Sequence, residues 1–156
     1  MRLSSSHPDG TASPRLTPSQ SLFQSDPDEL GAVAIYLRIA KGFDFSNAQA
    51  LLRESTSQSQ QIMSDLLGVP VRIWHTQRGK KSSRKLTPGQ SALMYQYAKL
   101  LELAEAIFGS RLSAEQWLCS PCRHLDHTAP MTMINNAIGY QTAVDYLKRI
   151  RHGVYQ

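Results

Sequence analysis

Cys119, Cys122, His124 and His127 fall within nine positions. A Cys-x-x-Cys followed by two histidines is a donor set that suits zinc. Zinc fingers, however, separate their two ligand pairs by about a dozen residues, so that each pair comes from its own element. Here all four donors would have to wrap one ion within a single loop that Pro121 stiffens. The expectation is therefore a loop without metal, and bound zinc would be needed to revive the reading of a small zinc-dependent enzyme. No other arrangement does obvious chemistry. There is no phosphate-cradling glycine loop, no His-Glu-x-x-His and no Gly-x-Ser-x-Gly. Glu102, Glu105 and Glu115 read as solvated helix faces, and His75 and His152 as surface side chains. No enzyme activity, cofactor or metal is expected.

Positive charge is the next feature that could act on a partner. Arg72, Arg78, Lys80, Lys81, Arg84 and Lys85 occur in one stretch with no Asp or Glu between them. The whole chain is only +5, so the remainder is slightly acidic. Charge concentrated beside a helical pattern is the electrostatic footprint of nucleic-acid binding. A solvated face that keeps the protein soluble is the other reading.

These residues must be positioned by a chain of 156 residues, 41% of them apolar. That is enough for one ordinary domain or two small helical units sharing a core. No apolar run reaches the roughly 20 residues of a membrane span. Met1 to Pro27 lack the apolar core of a secretory signal, and two cysteines are too few for a disulfide scaffold. A cytoplasmic protein with no membrane contact is expected. Residues 1–27 are rich in Ser and Pro and poor in apolar side chains, which predicts disorder. From Asp28 onward the pattern is helical throughout, and the fold class is all-α. Leu30, Val33, Ala34, Leu37 and Ala40 repeat at helical spacing, with Gly42 as the stop. A second helix begins after Ser46, and a third carries Ile62, Met63, Leu66 and Leu67. A fourth begins at about Pro70. Thr87 and Pro88 then open a long helix ending at Gly109. A short helix holds Trp117. Two more cover about 131–137 and 141–151, split by Gly139.

Helix, Gly68-Val69-Pro70 turn, helix is the geometry that lays a second helix in the DNA major groove. Packing of Ile62, Met63, Leu66 and Leu67 against Val69, Ile73 and Trp74 leaves Val71, Arg72, His75, Thr76 and Arg78 outward. Arg72, His75 and Thr76 are candidates for base edges. Lys80, Lys81, Arg84 and Lys85 are candidates for phosphates, where they add affinity but read no sequence. An ordinary helical hairpin has the same short glycine turn.

The second half carries an ordered set of short motifs: Ala106-Ile107-Phe108-Gly109, Ala114, Trp117-Leu118, Pro121, Leu125, Pro130, Gly139-Tyr140, Leu147, Arg149-Ile150 and Gly153-Val154-Tyr155. Together they resemble the toxin-binding domain of the Xre/MbcA/ParS antitoxins. Leu67-Gly68-Val69-Pro70 and Leu86-Thr87-Pro88 resemble the helix-turn-helix half of the Xre members. The resemblance covers about residues 28–156. It implies a DNA-binding unit over 28–86 and a toxin-binding and dimerisation domain over 87–156. It also implies a type II antitoxin that is a homodimer. Such an antitoxin blocks the active site of a cognate RES-domain, NAD-depleting toxin and represses its own operon at operator DNA. By the same resemblance Arg149, Arg151, Gly153, Val154 and Tyr155 are the candidates for toxin contact, and Trp117, Leu118, Leu125, Leu147 and Ile150 belong to the core. Ile73, Thr76 and Gln77 make the recognition helix less basic than is usual for that family. A stand-alone helix-turn-helix regulator, its second half only dimerising, is the alternative.

Overall fold

The structure, a computed structural model, describes residues 14–76 and 84–153. It is all-α: among the described residues no strand forms, and only two isolated bridges occur, Asp44 with Lys85 and Cys122 with Thr128.

The predicted disorder of residues 1–27 is corrected for its second part. Pro18–Phe23 is a short helix, α1. Thr17 and Gln20 form a capping box at its start, satisfying two otherwise orphaned backbone donors. Leu22 and Phe23 are each 1% exposed, and the Phe23 ring meets Phe43 and Tyr95 edge-on at 5.0 and 5.7 Å. Two adjacent apolar side chains with a slot to fill offset the ordering of one turn, and the Ser/Pro composition around them hides this. Residues 1–13 lie outside the described residues.

The next helices follow the sequence pattern closely. α2 spans Ala32–Lys41, and α3 spans Phe45–Arg53. α4 spans Ser57–Leu67 with Thr56 as its N-cap, and α5 spans Val71–Thr76. α6, Pro88–Phe108, starts at the Thr87-Pro88 signal and ends at Gly109, which is left-handed at φ 82°. Ser110 caps α7, Arg111–Cys119. Two corrections fall in the last part. Pro130–Asn135 is a 3-10 helix rather than an α-helix. α8 runs unbroken over Ala137–Arg151 instead of splitting at Gly139. Asn136 caps it through Gly139 N–H at 2.9 Å. Gly139 is needed there for space: a Cβ would overlap the Met133 carbonyl oxygen.

α6 is the shared spine. It packs on α1, α2 and α4 on one side of the sequence and on α7, α8 and the 130–135 turn on the other. Its Met94, Tyr97, Ala98, Leu100, Leu101 and Ala104 are fully buried. One apolar cluster therefore runs from Leu22 through Trp74 and Tyr97 to Leu147. No helix among the described residues is long and apolar enough to cross a membrane.

Candidate functional site

Two surfaces carry the candidate residues, and the first is built on α4 and α5. Gly68 closes α4 in the left-handed region at φ 66°, and Val69 N–H donates to the Ser64 carbonyl at 3.0 Å. Val69 is buried, and Trp74 is fully so. The Trp74 indole donates to Ser64 Oγ at 2.9 Å and stacks on Phe45 at 4.8 Å, 7° from parallel. Its backbone carbonyl accepts from Gln49 Nε2 at 2.7 Å and from Arg53 Nε at 3.3 Å. A six-residue helix cannot stand on its own. Here one aromatic anchor and two side-chain donors from α3 hold α5 against α3 and α4.

The sequence candidates on this unit divide into three groups. Arg72 and His75 are exposed on α5, although His75 Nε2 lies 3.0 Å from Gln60 Oε1 of α4. Thr76 ends the helix. Arg78, Lys80 and Lys81 lie outside the described residues. Arg84 and Lys85 are exposed but tied to the start of α3. The Arg84 guanidinium sits over the Phe45 ring at 5.0 Å, and its carbonyl accepts from Phe45 N–H at 2.9 Å. Lys85 Nζ pairs with Asp44 at 3.3 Å. Arg84, Phe45 and Trp74 thus form a chain of ring contacts connecting the end of the basic stretch to α5.

The second surface is the end of α8. Ala143, Tyr146 and Leu147 face inward with Gly139, so Arg149 and Arg151 point out and are exposed. Lys148, Arg149 and Arg151 crowd the last turn, where cations complement the helix dipole. Gly153 follows at φ 66°, a conformation that favours glycine. Val154 and Tyr155 lie outside the described residues. Behind this surface Trp117 stacks on Tyr146 at 5.9 Å and lies 5.3 Å from Phe108. Leu118 and Leu147 are fully buried, Leu125 is 8% exposed, and Trp117 and Ile150 are partly buried against the same cluster.

The Cys/His loop holds itself closed with backbone bonds. Cys122 N–H donates to the Thr128 carbonyl at 3.1 Å, while the Cys122 carbonyl accepts from Leu125 and His127. Cys119 is buried away from that loop, with its thiol 3.7 Å from Met131 Sδ and 3.4 Å from Ser59 Oγ. Burial raises its pKa. His124 tilts against Tyr146 at 5.8 Å. Among the described residues no group of three or more His, Cys, Asp or Glu could hold a metal ion.

Sequence reasoning missed the joint between the two surfaces. Glu115 is 1% exposed, not part of a solvated face. Its carboxylate accepts from Thr56 N–H at 2.6 Å, Ser59 Oγ at 3.1 Å and Arg111 Nε at 3.1 Å. Arg111 also donates to the Leu51 carbonyl and Ser55 Oγ, both at 3.1 Å. Glu102 is likewise half-covered, accepting from Ser19 N–H at 2.7 Å. Glu105 is partly covered as well, and burial raises its pKa against the opposing pull of Arg111. The (i, i+4) spacing of Arg111 and Glu115 was visible in the sequence. That α7 would dock this pair on the α3–α4 corner was not.

Comparison with known proteins bears on the second surface most directly. Residues 103–153 match the family described as the antitoxin Xre/MbcA/ParS C-terminal toxin-binding domain. Antitoxin Xre of Yersinia enterocolitica serotype O:8 / biotype 1B (strain NCTC 13174 / 8081) is 25% identical over 89 residues. That similarity covers 56% of this chain and 59% of the relative. The matched segment contains all of α7 and α8, the Phe108–Trp117–Tyr146 ring contacts and the exposed Arg149 and Arg151. Over residues 103–153 the chain is thus similar to the toxin-binding domain of the Xre/MbcA/ParS antitoxins.

Proposed function

We propose that this protein neutralises a RES-domain, NAD-depleting toxin with its C-terminal domain and represses its own operon through α4 and α5. It is not an enzyme on this reading. It works as a homodimer in the cytoplasm, with the toxin and operator DNA as its partners. The match of residues 103–153 to a toxin-binding domain carries the reading. The basic, exposed end of α8 supports placing toxin contact at Arg149, Arg151 and Gly153, continuing into Val154 and Tyr155. Arginine and tyrosine are the residue types that anchor interfaces. The short α4–α5 turn, the exposed Arg72 and His75 and the adjacent basic stretch support operator binding, with Thr76 beside them. Phosphate contact is assigned to Arg78, Lys80, Lys81, Arg84 and Lys85.

Purification of the tagged chain from its source cells tests this. The expected result is a stoichiometric partner that depletes NAD when expressed alone and is harmless with the antitoxin present. A chain that shifts DNA but captures no partner would overturn the toxin reading and favour a stand-alone regulator. The DNA half has its own test. Replacing Lys80, Lys81, Arg84 and Lys85 by Ala should weaken binding to all sequences and flatten its salt dependence. Unchanged binding would return the basic stretch to a merely solvated face.

A further inference from the structure

α2 is apolar on two faces, and the protein covers only one of them. Ile35 and Ile39 turn inward and pack against the core. Val33, Tyr36 and Leu37 are 71%, 67% and 51% exposed, and Ala40 completes the same stripe at i, i+3, i+4 and i+7. No residue of α2 is buried. An exposed apolar helix stripe of this regularity marks an interaction site rather than scattered surface residues.

The charges flanking the stripe indicate what covers it. Asp28 and Glu29 precede α2, and Arg38 and Lys41 occupy its last turn. Asp28 already pairs with Lys99 at 3.2 Å, and Arg38 donates to the Phe23 carbonyl at 2.6 Å. Among the described residues neither Glu29 nor Lys41 has an ion-pair partner. A second copy laid antiparallel on the first brings Glu29 of each toward Lys41 of the other. A parallel copy would set like charges together. With Val33 opposite Ala40 of the other copy, the two-fold axis falls between Tyr36 and Leu37. We propose that the Val33, Tyr36, Leu37 and Ala40 face of α2 pairs antiparallel with the same face of a second copy of this chain. This rests on the homodimer part of the proposed function and specifies its surface. Ten residues of helix are about 15 Å long. Such a contact buries less than the ~800 Å² per partner of a stable interface, so the dimer is reversible and concentration-dependent.

Sedimentation velocity of the full chain across micromolar concentrations tests the pairing. The parent protein should pass from monomer to dimer, and Tyr36→Arg should weaken the dimer about tenfold or more while leaving helix content and thermal unfolding unchanged. Glu29→Lys and Lys41→Glu should each weaken it, and the double variant should recover it. In a Cys122→Ser background, a mixture of Val33→Cys and Ala40→Cys chains should crosslink, whereas Val33→Cys alone should not. A dimer indifferent to Tyr36→Arg overturns this surface and leaves the homodimer reading standing. A monomer at every concentration overturns both. A double charge variant no better than either single one overturns the antiparallel arrangement.

Discussion

Arg111 and Glu115 are four residues apart on α7, a spacing that on an exposed helix contributes only a few tenths of a kcal/mol. Burial changes their role. Glu115 accepts three hydrogen bonds while almost wholly removed from water, so loss of one partner leaves an uncompensated group inside. Glu115→Ala should leave Thr56 N–H without its acceptor and Arg111 with only its Glu54 and Glu105 pairs, destabilising the protein by about 1–3 kcal/mol. Glu115→Gln should cost less, since its carbonyl oxygen still accepts from Thr56 or Ser59. Urea unfolding ranks the two, and equal losses would show that the charge itself contributes everything. Tyr97 supplies a pH test beside it. Burial pushes its pKa strongly above the ordinary 10.0, nearby Glu115 adds to this, and its hydroxyl lies 2.8 Å from Ser55 Oγ. The unfolded chain therefore loses this proton first. The contribution of Tyr97 is intact below pH 10 and is lost as pH rises beyond it. Tyr97→Phe should cost about 1 kcal/mol near neutrality and make the alkaline fall in stability shallower. Tyr95 and Tyr140 are raised in the same direction by burial, so part of the fall should remain. An unaltered alkaline slope in the variant would assign the effect to the other raised groups, Tyr95, Tyr140, Cys119 and Lys99.

Helix ends were legible where the local chemistry closes on itself. Thr87-Pro88 and Gly109 bound α6 because the cap and stop signals act within one turn of the residues that carry them. α1 and α8 were misread because distant groups decide them. α1 forms because Phe43, Tyr95 and Glu102 receive its side chains and backbone. Gly139 looks like a helix breaker in sequence, yet it admits the Met133 carbonyl against the first turn of α8. The candidate surfaces show the same division. The exposure of Arg72 and Arg149 follows from helical periodicity, whereas the burial of Glu115 depends on where α7 docks. Gly139→Ala should force the 130–135 turn away from α8. It should lower stability by about 1–3 kcal/mol, as overpacking does elsewhere, and weaken the proposed toxin capture along with it. Thermal unfolding and a toxin pull-down together check this. A variant as stable as the parent would mean that the turn moves aside freely.

The boundary between a DNA-binding unit over 28–86 and a toxin-binding unit over 87–156, expected from sequence, crosses a continuous core. α6 gives Tyr97, Ala98 and Met94 to that core and contacts α1, α2 and α4 as well as α7 and α8. Arg111 reaches from α7 to Glu54, Leu51 and Ser55 around the end of α3. A chain with one continuous core should unfold as one cooperative unit. The two tryptophans offer separate reporters: Trp74 lies on α5 against Phe45, and Trp117 on α7 against Phe108 and Tyr146. In Trp117→Phe, the fluorescence of Trp74 and the helical circular dichroism should lose their native signals at the same urea concentration. In Trp74→Phe, Trp117 fluorescence should coincide with circular dichroism in the same way, although at lower stability because a fully buried ring has been reduced. Such coincidence would mean that a toxin bound at the proposed α8 surface would stabilise the α4–α5 unit too, since any ligand that favours the native state raises the stability of everything folding with it. Separate midpoints in either variant would instead make the two halves independent, and occupancy of one surface would then leave the stability of the other untouched.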